Sequence, residues 1–178
     1  AAESVDSLLD FLSPTSTIKE VNFSGAYLRG NTENTSNILP FFREMTSLEK
    51  FSAPNLLKVP EGLCYLCSSL KEVNLSQCKI IEQRGFHGAN LESLSLPNVI
   101  SIEKNAFQSN KKLTTIDLGE KIETIASLAF ADTNATTLII RNPEKMVQIN
   151  DVNFLQSSPI DMWGETSSGV IIDCFIYV

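Results

Sequence analysis

The pattern Leu70-x-x-Val73-x-Leu75 recurs as Leu91-x-x-Leu94-x-Leu96 and again as Leu113-x-x-Ile116-x-Leu118, with starts 21 and 22 residues apart. A second pattern answers each triplet: Cys78-x-x-Ile81-x-x-x-Gly85-Phe86, Val99-x-x-Ile102-x-x-x-Ala106-Phe107 and Ile122-x-x-Ile125-x-x-x-Ala129-Phe130. A fixed period in the range of about 20–50 residues marks a repeat architecture. One such unit cannot bury its own apolar side chains. The chain is therefore constrained to stack its repeats, each contacting only its neighbours.

The phase extends in both directions. Ile18-x-x-Val21-x-Phe23 opens the series, and Leu48-x-x-Phe51-x-Ala53 follows 30 residues later. The surplus lies in the polar, Gly- and Asn-rich stretch 25–37, whose composition marks a loop insertion. Leu56-x-x-Val59-x-x-x-Leu63-Cys64 completes that repeat. After Phe130 come Ala135-x-x-Leu138-x-Ile140 and Met146-x-x-Ile149-x-x-x-Asn153-Phe154. One domain is expected over 1–178, with about six repeats in 17–155. Val5, Leu8, Leu9 and Leu12 recur at helical spacing after Ser4 and before Pro14, which predicts a helical cap over 1–16. The stretch 156–178 is read as a C-terminal cap, with the apolar run from Gly169 supplying a closing strand or strand pair.

Within each triplet the second and third apolar residues are two apart, which is strand periodicity on one face. Stacking places Val73, Leu94, Ile116 and Leu138 in one ladder and Leu75, Leu96, Leu118 and Ile140 in the next. Six strands at roughly 4.7–4.9 Å would give a parallel face of about 25 Å. The second pattern must carry the chain back, through a short extended segment and a helical or 3₁₀ turn around Ala-Phe.

Between the ladder positions, side chains face outward. One stripe reads Glu20, Lys50, Glu72, Ser93, Thr115 and Thr137; its neighbour reads Asn22, Ser52, Asn74, Ser95, Asp117 and Ile139. The surface is polar and lacks the Trp, Tyr and Arg that dominate interaction hot spots. Tyr27 and Arg29, within the insertion, supply that contact chemistry. The candidate ligand-binding surface is thus Glu20, Asn22, Lys50, Glu72, Asn74, Ser95 and Asp117, with Tyr27 and Arg29 beside it.

Net charge is −7, and no basic run appears, which disfavours nucleic acid because counterion release needs clustered Lys and Arg. No apolar stretch approaches the roughly 20 residues of a membrane helix. Four cysteines are present, Cys64, Cys67, Cys78 and Cys174. Cys64-x-x-Cys67 lacks the second pair or the histidines of a zinc site. Cys64 and Cys78 occupy apolar repeat positions and read as small buried hydrophobes; a Cys64–Cys67 disulfide or redox pair is the alternative. No phosphate loop, Gly-x-Ser-x-Gly elbow or His-Glu-x-x-His motif occurs. The single histidine, His87, falls in an expected surface turn. Glu72, Glu92 and Asp117 lie on neighbouring strands, but a flat sheet offers no pocket to desolvate them. The expectation is a non-enzyme without a cofactor or metal. Four Asn-x-Ser/Thr triplets, at Asn22, Asn34, Asn74 and Asn134, would carry glycans only in a eukaryotic secretory pathway.

The second pattern resembles the repeat of BspA-like (Treponema pallidum-type) leucine-rich repeat proteins, a Pro-x-Val-x-x-Ile-Gly-x-x-Ala-Phe phrase followed by Leu-x-x-Ile-x-Leu. Pro97 to Phe107 matches it closely, while Gly85-Phe86 and Ala129-Phe130 are near matches. The departures are Glu103 and Ala126, where glycine is common, and Cys64 in place of Phe. The resemblance implies an α/β repeat: a right-handed leucine-rich-repeat solenoid with one parallel sheet on the concave face and short strands or 3₁₀ or helical turns on the convex side. It also implies a secreted or surface-attached bacterial protein, with the signal removed before Ala1; a periplasmic location is the alternative. The implied role is a binding or adhesion module for a protein or glycan ligand, host-derived ligands included. A structural or assembly protein of the envelope is the competing reading.

Overall fold

A computed structural model describes residues 14–25, 32 and 42–140, together with the backbone of two strands at 148–149 and 171–174. Most of the expected N-terminal helix, the insertion beyond Gly25 (Thr32 apart) and most of the C-terminal cap lie outside the described residues.

Each regular repeat from Leu48 onward forms one coil with two short strands. The triplets give β1 (Glu20–Asn22), β2 (Lys50–Ser52), β4 (Glu72–Asn74), β6 (Ser93–Ser95), β8 (Thr115–Asp117) and β10 (Thr137–Ile140). The second patterns give β3 (Lys58–Val59), β5 (Ile80–Ile81), β7 (Ser101–Ile102), β9 (Thr124–Ile125) and β11 (Gln148–Ile149). The last strand described, β12 (Ile171–Cys174), adds parallel to β10 with Thr137 opposite Ile171.

All pairings among the described residues are parallel and link equivalent positions, such as Val21 with Phe51, Phe51 with Val73, and Leu94 with Ile116 and then Leu138. The expected single sheet is resolved into more. The triplet strands form a three-stranded sheet, β1-β2-β4, and a four-stranded sheet, β6-β8-β10-β12. Between β4 and β6 the ladder lapses, leaving a Glu92 N–H to Lys71 carbonyl contact of 3.5 Å. The second-pattern strands build a five-stranded sheet of their own, β3-β5-β7-β9-β11.

The expected helical or 3₁₀ turns do not form; no helix occurs among the described residues. The hydrogen bonding gives the reason. In the turn 60–67, the N–H groups of Leu63, Tyr65 and Cys67 bond back three residues within their coil, to Pro60, Gly62 and Cys64. The alternate N–H groups, of Gly62, Cys64 and Leu66, donate instead to Gln83, Gly85 and His87 of the next coil. Arg84, Phe86 and Gly88 do the same to Lys104, Ala106 and Gln108, and Asn105, Phe107 and Ser109 to Ser127, Ala129 and Ala131. Half of the donors that a helix would need are thus spent between coils.

This alternation requires left-handed backbone twice per coil, four residues apart: Gly62 and Leu66, Arg84 and Gly88, Asn105 and Ser109, Leu128 and Asp132. An L-residue pays roughly 1–2 kcal/mol for that conformation. Most of these positions are not glycine, so stacking carries the cost.

The interior is a set of ladders. Leu48, Leu70, Leu91 and Leu113 align in one, Val59, Ile81, Ile102 and Ile125 in another, all fully buried. Phe86, Phe107 and Phe130 stack nearly parallel, at 5.6 and 5.3 Å between ring centroids. Such contacts add about 0.5–1.5 kcal/mol to the burial itself. Among the described residues, the most deeply buried polar side chain on a ladder is that of Asn110. Asn110 donates from Nδ2 to the carbonyls of Phe86 (2.9 Å) and Phe107 (2.8 Å), and its Oδ1 accepts from the Leu91 N–H at 3.2 Å. Equivalent residues act in part the same way: the Cys67 thiol donates to the Phe42 carbonyl and the Thr133 hydroxyl to that of Phe130.

Candidate sheet-face site

The outward stripes of the triplet strands divide by chemistry. Over β1, β2 and β4, charges alternate along two rows. In the strand row, the Lys50 ammonium lies 3.0 Å from the Glu72 carboxylate, and Glu20 stands opposite Lys50 in register. Beside it, Glu49 takes Lys19 on one oxygen and Lys71 on the other, both at 3.1 Å. The Lys71 and Lys19 ammoniums hold the Glu49 carboxyl below its usual range. Glu72 chiefly, then Glu20 and Glu49, raises Lys50. These groups are exposed, and surface pairs of this kind contribute about 0–1 kcal/mol each. Their effect is to fix the direction in which charged groups are displayed. From β6 onward the same row turns to hydroxyls: Ser93, Thr115 and Thr137.

Three of the sequence-derived face residues also end their strands. Asn22 accepts the Ser24 N–H on Oδ1 at 2.9 Å, Asp117 accepts the Gly119 N–H at 3.1 Å, and Asn74 accepts the Ser76 hydroxyl at 2.6 Å. An Asx side chain bonded to the backbone two residues ahead mimics a turn, so Asn22 and Asp117 bend the chain out of their strands. The turn after Asp117 is close: Gly119 has φ +66°, and a Cβ there would come within 2.5 Å of the Pro97 carbonyl oxygen. Ser95 is exposed on β6. Glu20, Lys50, Glu72, Asn22, Asn74, Ser95 and Asp117 therefore share the outer side of the triplet strands, divided between the two sheets. Tyr27 and Arg29 lie outside the described residues.

Two further roles were not evident from the sequence. Glu82 accepts the Glu61 N–H of the preceding coil at 2.9 Å and pairs with Lys58 at 2.6 Å, both side chains largely buried. At the same position one coil later, Glu103 accepts the Gln83 N–H at 3.2 Å. A carboxylate where the repeat commonly has glycine thus satisfies a backbone donor of the coil before it. The sequence signal was the departure itself.

Cys64, Cys67 and Cys78 are buried free thiols. Burial pushes the Cys64 thiol well up and Cys78 to about 12. His87 stacks on Tyr65 at 5.2 Å; burial first, then the Arg84 charge, lowers its pKa. Among the described residues, no three His, Cys, Asp or Glu side chains gather as a metal site.

No curated protein and no solved structure matches this chain. A family model described as a BspA type leucine rich repeat region matches residues 37–161, in 6 copies. That span includes every regular coil from β2 to β11, and the chain belongs to the BspA-type leucine-rich repeat family.

Proposed function

We propose that this protein is a non-catalytic binding module, secreted or attached to a bacterial surface, that engages a protein or glycan ligand through the outer side of its triplet strands. The alternating display of Glu20, Lys50 and Glu72 beside Lys19, Glu49 and Lys71 carries this reading. Charges held in register by a rigid ladder give electrostatic complementarity, which sets partner choice and association rate more than raw affinity. Repeat solenoids use such extended faces for binding. Asn22, Asn74, Ser95 and Asp117 extend the surface, and Tyr27 and Arg29 in the insertion supply aromatic and guanidinium contacts at one end.

The test is capture from an array of matrix proteins and mucin glycans. Wild type is compared with a deletion of 26–36 and with charge reversals at Lys50, Glu72 and Asp117. Loss of capture with both kinds of variant supports the surface. Capture that survives both refutes it.

A further inference from the structure

The turn tier carries a concave feature of its own, away from the triplet strands. A pocket of about 210 Å³ is lined by Arg43, Glu61, Gly62, Tyr65 and Arg84, drawn from three successive coils. Gly62 makes the space. Its own left-handed position in the ladder is followed by Arg84 in the next coil, and a Cβ on Gly62 would lie 2.7 Å from the Arg43 Nη2 atom. Lacking that atom, Gly62 lets the Arg43 guanidinium reach over from the preceding coil. There it donates from Nε to the Gly62 carbonyl (3.2 Å) and from Nη2 to that of Glu61 (3.3 Å). Arg43 is thereby held in place. The exposed Arg84 guanidinium has no ion-pair partner among the described residues. Tyr65 stands on the wall and is braced from behind by His87, at 5.2 Å and 23° between planes.

We propose that this pocket binds a carboxylate-bearing sugar residue. Two arginines line it, in a chain that has four arginines in all and a net charge of −7. Arginine forks match a carboxylate geometrically. The Glu61 carboxylate in the same wall argues against a bare sulfate, which has only acceptors and would be repelled. A sugar has hydroxyls to donate to Glu61 and a C–H face to lie against the Tyr65 ring. The volume is below the roughly 300–1,000 Å³ of pockets for drug-sized ligands, which suits one ring. The site does not depend on the triplet-strand reading, and the two fail separately.

His87 is the only histidine, so its imidazole resonances report on Tyr65 without overlap. The full chain is titrated with glucuronate and N-acetylneuraminate, and with glucose and inorganic phosphate as controls, by NMR and calorimetry. The expected result is saturable binding of an acidic sugar at about millimolar Kd, with His87 resonances moving in step. Arg84→Gly is compatible with the backbone because glycine occupies the same position in the preceding coil, and it should weaken binding about tenfold or more. Gly62→Ala, which displaces Arg43, should do likewise, while Glu120→Gln, at an exposed position in neither site, leaves binding unchanged. No saturation to about 50 mM, glucose or phosphate binding as tightly as the acidic sugar, or heat of binding without a His87 shift would each overturn the proposal.

Discussion

The Phe51 ring lies 6.5 Å from that of Phe86, edge to face, and 5.3 Å from that of Phe42. It occupies the interior of the coil in which Cys64 stands where Phe86, Phe107 and Phe130 stand in the others. The strand position that is Val73, Leu94 or Ile116 elsewhere is enlarged in the same coil that has lost its aromatic. Volume is conserved across the coil by exchanging large and small between two ladders. Cys64→Phe alone should overpack and destabilise by about 1–3 kcal/mol, and Phe51→Val alone should leave a cavity at a similar cost. The double variant should recover at least ~1 kcal/mol of the summed loss, measured by urea unfolding. Strict additivity would contradict the compensation.

Asn110 is a buried polar side chain with all its partners supplied by backbone. Asn110→Ala leaves the carbonyls of Phe86 and Phe107 and the N–H of Leu91 without that side chain. The Phe86 carbonyl keeps the Ala89 N–H at 3.3 Å, and each of the other two groups, left unsatisfied, costs about 1–3 kcal/mol, so a loss of roughly 2 kcal/mol or more is expected by the same measurement. Thr133→Ala, which removes one bond, should cost about 1 kcal/mol.

Cys64, Cys67 and Cys78 act as interior packing. In a Cys174→Ser background, a thiol reagent at neutral pH should label none of the three in the native protein and all three after unfolding. Labelling of Cys67 in the native state would revive the redox-pair alternative.

Acidification should weaken the fold in two stages. His87 titrates below its ordinary 6.5 in the native state because burial and Arg84 disfavour its charge, so the unfolded chain binds its proton first. Stability is full above that value and falls as pH drops toward the native pKa. Glu49, lowered by Lys71 and Lys19, acts with the same sign below its ordinary 4.5. Tm measured against pH should fall across both windows, and His87→Gln should flatten the upper one alone.

The coil and its inward ladders were legible because apolar spacing encodes which side chains face in. The turn tier was not legible, because left-handed backbone at Leu66, Arg84, Asn105 and Leu128 has no glycine to announce it. An Ala-Phe turn then reads as helix. Arg43 and Arg84 sit 41 residues apart in sequence and on different ladders, so only the stacked coils bring them to one pocket.

The most direct test of the proposed binding surface is an amide chemical-shift map of the full chain with a ligand recovered from the matrix and mucin array. Perturbations clustered at 20–22, 50–52, 72–74 and 93–95 are the predicted result. Perturbations confined to the opposite strands, 58–59, 80–81 and 101–102, would contradict it.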